Sequence, residues 1–346
     1  MRPVSSTYDA MAEELTDAEL LDLTYKEYLN DHTLDSNLPP ASAVPSFATS
    51  HAPDLVRSGL GTLDVLPLEV LHLILDQLDV SAIAMFRQAN RQALDLVSSL
   101  PSYEAITRVA PNILRSYRAI QAERIVTCSQ IYEQLCQPAC QKCGDFGGYL
   151  YLLTCSRVCF LCVAEDPVYL PLRPRQACRK FGLGQRATDT LPTMLTRGGL
   201  YSPNEKKLKG GILLVDHDAA RQAGIDLYGS ATLMEEYVSG KEAERQREYE
   251  EKLRRVRTSD AGQGSIRRPA GEPFDGRSGN PARFASVNRI PWIDKATRQV
   301  EWGIHCRGCR RSRNRLSHCR QKYTLASFRS HLNQFGMVHN NKHLGV

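Results

Sequence analysis

A mainly α-helical chain built of several small units, rather than around one large core, is what this sequence predicts. Three observations carry the expectation. Helical periodicity dominates from Leu66 to about Leu135 and returns from Thr232 to Arg257. Most of the eleven cysteines gather in two clusters, one at 136–178 and one after Glu301. Apolar residues make up 42% of the 346 and aromatics 7%, which suits small ordered units separated by poorly ordered stretches.

Residues 1–58 are expected to form a disordered acidic tail. They carry Asp9, Glu13, Glu14, Asp17, Glu19, Asp22, Glu27, Asp31 and Asp35 against few cations, and end in LPPASAVPSFATSHAP, which cannot bury a core. A short helix near Ala18–Tyr28 is the one ordered element read there. The first residues hold no apolar run suited to a signal peptide, and the longest nearly apolar stretch, around Gly147–Cys155, is too short to cross a bilayer. The chain is therefore expected to stay inside the cell, in the cytoplasm, the nucleus or both, with no membrane contact. In that reducing compartment, clustered cysteines are better read as metal ligands than as disulfides.

Residues 59–106 read as three helices. The first opens at LPLEVLHLILDQL, with Pro67 in the first turn and Glu69 near the positive helix end. Glu69, His72 and Asp76 share one narrow wedge, while leucine, valine and isoleucine fill most of the remaining circle. A surface helix needs an apolar stripe of only ~100°, so this one must be covered on two sides. The second helix, Ser81–Arg87, brings Ile83, Met85 and Phe86; the third, near Asn90–Ser98, brings Ala93, Leu94, Leu96 and Val97. A unit this small cannot bury so much apolar surface by itself. Either the rest of the chain or another protein covers it.

The run Leu66-Pro67-x-Glu69-Val70-Leu71-x2-Ile74-Leu75-x2-Leu78-Asp79-x3-Ile83-x2-Phe86-x3-Asn90-Arg91-x4-Leu96-Val97 resembles the F-box, and the adjoining SLPSYEAITRVAPNILRSYRA is similar to the segment after the F-box in many fungal F-box proteins. The aromatic that many F-boxes carry in helix three is absent, with Ala93 or Leu94 in its place. The resemblance implies that the module grips the Skp-type adaptor subunit of a cullin ubiquitin ligase. It also implies that Leu66, Pro67, Val70, Leu71, Ile74, Leu75, Ile83 and Phe86 divide between that interface and the module's own core.

Residues 107–200 continue as a helical extension with a four-cysteine module. Cys140-x2-Cys143 and Cys159-x2-Cys162 stand fifteen residues apart, which is zinc-ribbon spacing. Each CxxC makes a tight turn whose thiolates converge, and two such turns complete a tetrahedron around a structural Zn2+. Gly144 permits the positive φ such a turn needs, and Tyr149–Leu153 between the pairs reads as strand. A redox CxxC would need one pair beside a βαβ unit rather than two pairs. A RING finger would need eight ligands, yet no histidine lies between 140 and 200 and Glu165 stands where the next ligand belongs. Cys136 and Cys155 read as ordinary buried thiols.

The region 201–257 is dominated by one long polar helix with a thin stripe of Tyr249, Leu253 and Val256 and i,i+4 pairs Glu250–Arg254 and Glu251–Arg255. Residues 258–288 have the composition of a disordered linker. The last unit, 289–346, is basic, with no acidic residue after Glu301. Ile290 and Trp292, then Val300, Trp302 and Ile304, alternate around a DKATR turn as a β-hairpin does. Cys306-x2-Cys309 comes next, and then a helix of Leu325, Phe328, Leu332 and Phe335 capped by Thr324 and stopped by Gly336. This is the order of a ββα zinc-finger-like unit with Cys306, Cys309, His331 and His339 as ligands, Cys319 and His343 competing. Its spacings are longer than those of DNA-reading fingers.

No phosphate loop, nucleophile elbow or HExxH helix occurs, so no catalytic residue is expected. The leading expectation is an F-box adaptor that recruits a protein client of unknown identity. The alternative is a zinc-dependent nucleic-acid-binding regulator using the basic C-terminal unit; nucleic acid is not the favoured partner.

Overall fold

The computed structural model describes residues 15–26, 31–40, 59–258, 279–310 and 318–343. The disorder expected at 1–14, 27–30, 41–58 and 259–278 falls outside the described residues. Helices dominate, and no strand among the described residues exceeds three residues.

The first departure from expectation is at the N-terminus. Residues 15–26 and 31–40 are not a disordered tail but are folded onto the body. A capping box between Thr16 and Glu19 starts α1 (Asp17–Asp22), β1 (Thr24–Tyr25) comes after it, and a single 3-10 turn spans Leu34–Asn37. The composition misleads because two of the apolar residues present, Leu20 and Leu34, are wholly buried. The acidic residues find arginines from the other end of the chain: Asp31 pairs with Arg320, Asp35 with Arg289 at 2.7 Å and Asp17 with Arg329 at 2.9 Å.

The three expected helices are α2 (Leu68–Asp76), with Pro67 at its start, α3 (Val80–Phe86) and α4 (Arg91–Ser99). Asp79 and Asn90 cap the last two, each side chain accepting a backbone N–H at 2.8 Å. α5 (Pro101–Val109), α6 (Asn112–Ala119) and α7 (Cys128–Leu135) continue the bundle. The join is rigid: Val80 N–H donates to the Val126 carbonyl at 2.9 Å, and Leu75, Ile83, Ile106, Ile113 and Ile131 belong to one core.

β2 (Tyr149–Tyr151) and β3 (Ser156–Val158) make the hairpin between the cysteine pairs, and α8 (Phe160–Glu165) and α9 (Pro174–Phe181) succeed it. The next stretch holds short strands: β4 (Thr193–Leu195) pairs with β7 (Leu213–Val215), and β5 (Gly199–Tyr201) with β6 (Lys206–Leu208). α10 (His217–Tyr228) leads into the long helix α11 (Ala231–Thr258). Met234 anchors the root of α11 in the core, Tyr237 stacks on Tyr228 at 4.7 Å, and the expected Arg255–Glu251 pair forms at 3.0 Å.

The part of the expected linker at 279–288 is ordered. Asn280 caps α12 (Pro281–Ala285), whose Phe284 enters the core while the buried Arg283 donates to the Val163 carbonyl at 2.9 Å and the Asp166 carbonyl at 2.5 Å. β8 (Val287–Arg289) then joins β2 as the third strand of the sheet, with Tyr149 opposite Arg289.

β9 (Trp292–Ile293) and β10 (Val300–Glu301) form the expected hairpin, but it does not roof the C-terminal helix. Ile290 and Ile293 join the main core, and Trp292 and Trp302 stay partly exposed. The cysteine-bearing strand β11 (His305–Cys306) pairs with β1 instead, Thr24 opposite Cys306. α13 (Leu325–Phe335) packs Phe328 and Leu332 against Ile304, Tyr323 and Leu20, and a last hairpin, β12 (Val338–His339) with β13 (Lys342–His343), closes the unit. The ββα reading is thereby corrected: α1 and β1 of the N-terminal segment occupy the place assigned to the tryptophan hairpin. Among the described residues, no helix is long and apolar enough to cross a membrane.

Candidate functional site

Three features stand out. The first is an apolar face on the three-helix module. At ~100° per residue, Val70, Leu73 and Ile74 share one ~100° arc of α2, and that arc is exposed, Leu73 by 66% and Ile74 by 43%. Val65, Leu68 and Met85 add further exposed apolar surface, Met85 at 64%. Contiguous apolar patches on a monomer mark interaction sites.

Of the eight residues expected to divide between a partner interface and the module's own core, Pro67, Val70 and Ile74 are exposed, and Leu66 and Phe86 are half-buried against the core. Leu71, Leu75 and Ile83 are buried and hold the module itself together. Val65, Leu68, Leu73 and Met85 are the exposed residues the sequence reading left unassigned. The over-wide apolar arc pointed to such residues without saying which half of the arc faces inward.

The second feature is the group Cys140, Cys143, Cys159 and Cys162, whose sulfurs all lie within 4.8 Å of one another. Gly144, at φ +82°, lets its N–H turn back to the Cys140 carbonyl at 2.9 Å and makes the first knuckle. In the second, Cys159 caps α8 and its sulfur accepts from Cys162 N–H at 3.4 Å. The Cys143–Cys159 sulfur separation is 3.6 Å. A tetrahedron with Zn–S bonds of about 2.3 Å has an edge of about 3.8 Å, so the donors fit this ion. Hydrogen bonds from Cys159 and Cys162 hold the Cys140 thiol well below its ordinary pKa, and the same bonds push Cys162 and Cys159 up. A dication bound there would let all four thiols ionise together. Cys136 and Cys155 stand outside the group.

The third feature joins Cys306, Cys309, His331 and His343. Cys306 Sγ lies 3.3 Å from His343 Nε2, and Cys309 Sγ lies 3.4 Å from His331 Nε2 and 3.2 Å from His343 Nε2. The two histidine nitrogens are 3.3 Å apart. With Zn–N bonds of about 2.0–2.1 Å the expected N–N edge is about 3.3 Å. Each imidazole is oriented from behind, His343 Nδ1 by the Gly336 carbonyl at 2.7 Å and His331 Nδ1 by the Tyr323 hydroxyl at 3.1 Å. Both groups are compatible with zinc, and bound there the ion would act as a four-ligand structural staple.

The expected ligand His339 is replaced by His343. Asn340 and Asn341, at φ +50° and +59°, fold β13 tightly back on β12; this carries His343 into the site and leaves His339 exposed. Cys319 is also outside the group. His343→Ala is expected to lose the second metal and His339→Ala to keep it, as a zinc measurement on the two purified variants will show.

Several arginines of the basic C-terminal unit contact the N-terminal segment. Arg307 donates through Nε to the Thr24 carbonyl at 2.7 Å, and the Arg310 guanidinium lies 5.0 Å from the centre of the Tyr25 ring. Arg320 and Arg329 meet the acidic residues Asp31 and Asp17. Arg311, Arg313 and Arg315 lie outside the described residues.

Residues 63–105 match the F-box domain family. No curated protein matches the chain, and no solved structure does.

Proposed function

We propose that the chain, carrying an F-box domain at 63–105, recruits protein clients to a Skp–cullin–F-box ubiquitin ligase. The observation that carries this reading is the exposed apolar arc of Val70, Leu73 and Ile74, which falls inside the matched segment. F-box domains in general bind the Skp-type adaptor subunit, and an exposed leucine-rich helix face is what such a partner would cover. The body beyond the F-box, stapled by zinc at both cysteine groups, would hold a client. The chain would then act by proximity, raising the effective concentration of a client lysine near a charged ubiquitin carrier, with no active site of its own. Such a role belongs to the cytoplasm or nucleus. A nucleic-acid-binding regulator is the second reading of the sequence, and no observation on the described residues favours it.

Mixing the purified chain with a Skp-type adaptor and passing the mixture over a sizing column tests the proposal. A stable one-to-one complex is the expected result. Two separate peaks at micromolar concentration would overturn it.

A further inference from the structure

Residues 15–26 and 31–40 reach the C-terminal unit as a bound peptide would. α1 lays Leu20 into the core beside Phe328 and Leu332, and Arg329 donates to the Leu15 carbonyl at 2.8 Å. β1 then adds a strand to the edge of β11, and the Arg307 N–H donates to the Leu23 carbonyl at 3.0 Å. Tyr25 stacks on His305 at 5.2 Å. Further along, Asp31 accepts from the Tyr149 hydroxyl at 2.5 Å and pairs with Arg320, and Asp35 pairs with Arg289. Strand addition for affinity, an apolar anchor for register and arginine–carboxylate pairs for specificity are the parts of a peptide-recognition groove. The groove's own walls come from residues far from the segment in sequence, among them Tyr149, Leu200, Ser202, Arg289, Arg320 and Phe328.

We propose that this groove is a binding site for acidic, leucine-containing segments of other proteins, and that residues 15–26 and 31–40 occupy it in cis. The inference rests on the client-recruiting reading and says where on this chain a client binds and what chemistry it carries. A segment tethered to the same chain sits at millimolar effective concentration. Modest intrinsic affinity is therefore enough for it to fill the groove. A client whose own segment binds more tightly displaces it, and the segment works as a built-in threshold against weak clients.

The test keeps the chain whole until it is folded. A protease site is inserted between residues 41 and 58, the purified protein is cut, and the N-terminal fragment is followed on dilution together with zinc content. The expected result is reversible departure of the fragment with both metals retained. A labelled peptide of residues 15–40 should then rebind with a dissociation constant in the micromolar range. Leu20→Asp or Asp31→Asn in the peptide should each weaken binding by about tenfold or more. A fragment that stays bound through extensive dilution, or leaves only as the second zinc is lost, would show that it is part of the core and would overturn the proposal. Equal binding of a scrambled peptide would do the same. Capture of the Skp-type adaptor is measured on the same cut protein, so failure of peptide exchange and failure of the F-box reading are read separately.

Discussion

Replacing Cys140 by serine is expected to abolish zinc binding at the first cysteine group and to unfold much of the body. Cys140 and Cys159 are buried within the main core, beside Leu150, Phe160 and Val163. The knuckles fix the start of β2, the end of β3 and the cap of α8, so loss of the ion frees all three elements. Structural zinc contributes about 10–16 kcal/mol in small domains. Even a fraction of that, about 4 kcal/mol, lowers the melting temperature of a chain this size by roughly 5 °C. Zinc content and thermal unfolding check the point. Cys309→Ser is the matched comparison, expected to lose the other ion and loosen only the cluster of Leu20, Tyr323, Phe328 and Leu332. Full zinc content in Cys140→Ser would rule out the first site.

The second large effect is expected at the F-box. Leu73→Asp with Ile74→Asp places two carboxylates on exposed positions, so the melting temperature and both metals should be unchanged. Capture of the Skp-type adaptor should fall at least a hundredfold, about 3 kcal/mol, because desolvating two carboxylates in an apolar interface has no compensation. Leu71→Asp is the contrast. Leu71 is 8% exposed and belongs to the core, so that change should lower the melting temperature and inform on folding, not on binding. Wild-type capture by the folded Leu73/Ile74 double variant would disprove the assigned face.

How much of this was legible in the sequence depends on the range of each interaction. The caps Asp79, Asn90 and Thr324, the knuckle glycine Gly144 and the four ligands of the first group are set by neighbours within a few residues, and spacing alone located them. Choosing His343 over His339 required knowing that two consecutive asparagines adopt left-handed backbone and reverse the strand. The order at 15–26, 31–40 and 279–288 was invisible to composition. It depends on single buried side chains, Leu20, Leu34 and Phe284, and on ion pairs such as Arg289–Asp35 that join opposite ends of the chain. For the F-box, periodicity gave the amount of apolar surface on α2. Only packing against α4 and α5 decides that Leu71 and Leu75 turn inward while Leu73 and Ile74 turn out.

The pairing of β8 with β2 also sets a clock on biosynthesis. When Tyr149–Tyr151 leaves the ribosome, its second neighbour, Val287–Arg289, has not yet been translated. At about 5–20 residues per second, the interval is on the order of ten seconds. Throughout it the central strand has an open edge, and the buried Arg157 lacks the Pro291 carbonyl that it finally meets at 2.9 Å. A nascent chain in this state offers an unpaired edge to any neighbour. Its yield in a cell should therefore depend on chaperone supply during synthesis more than on the stability of the finished molecule.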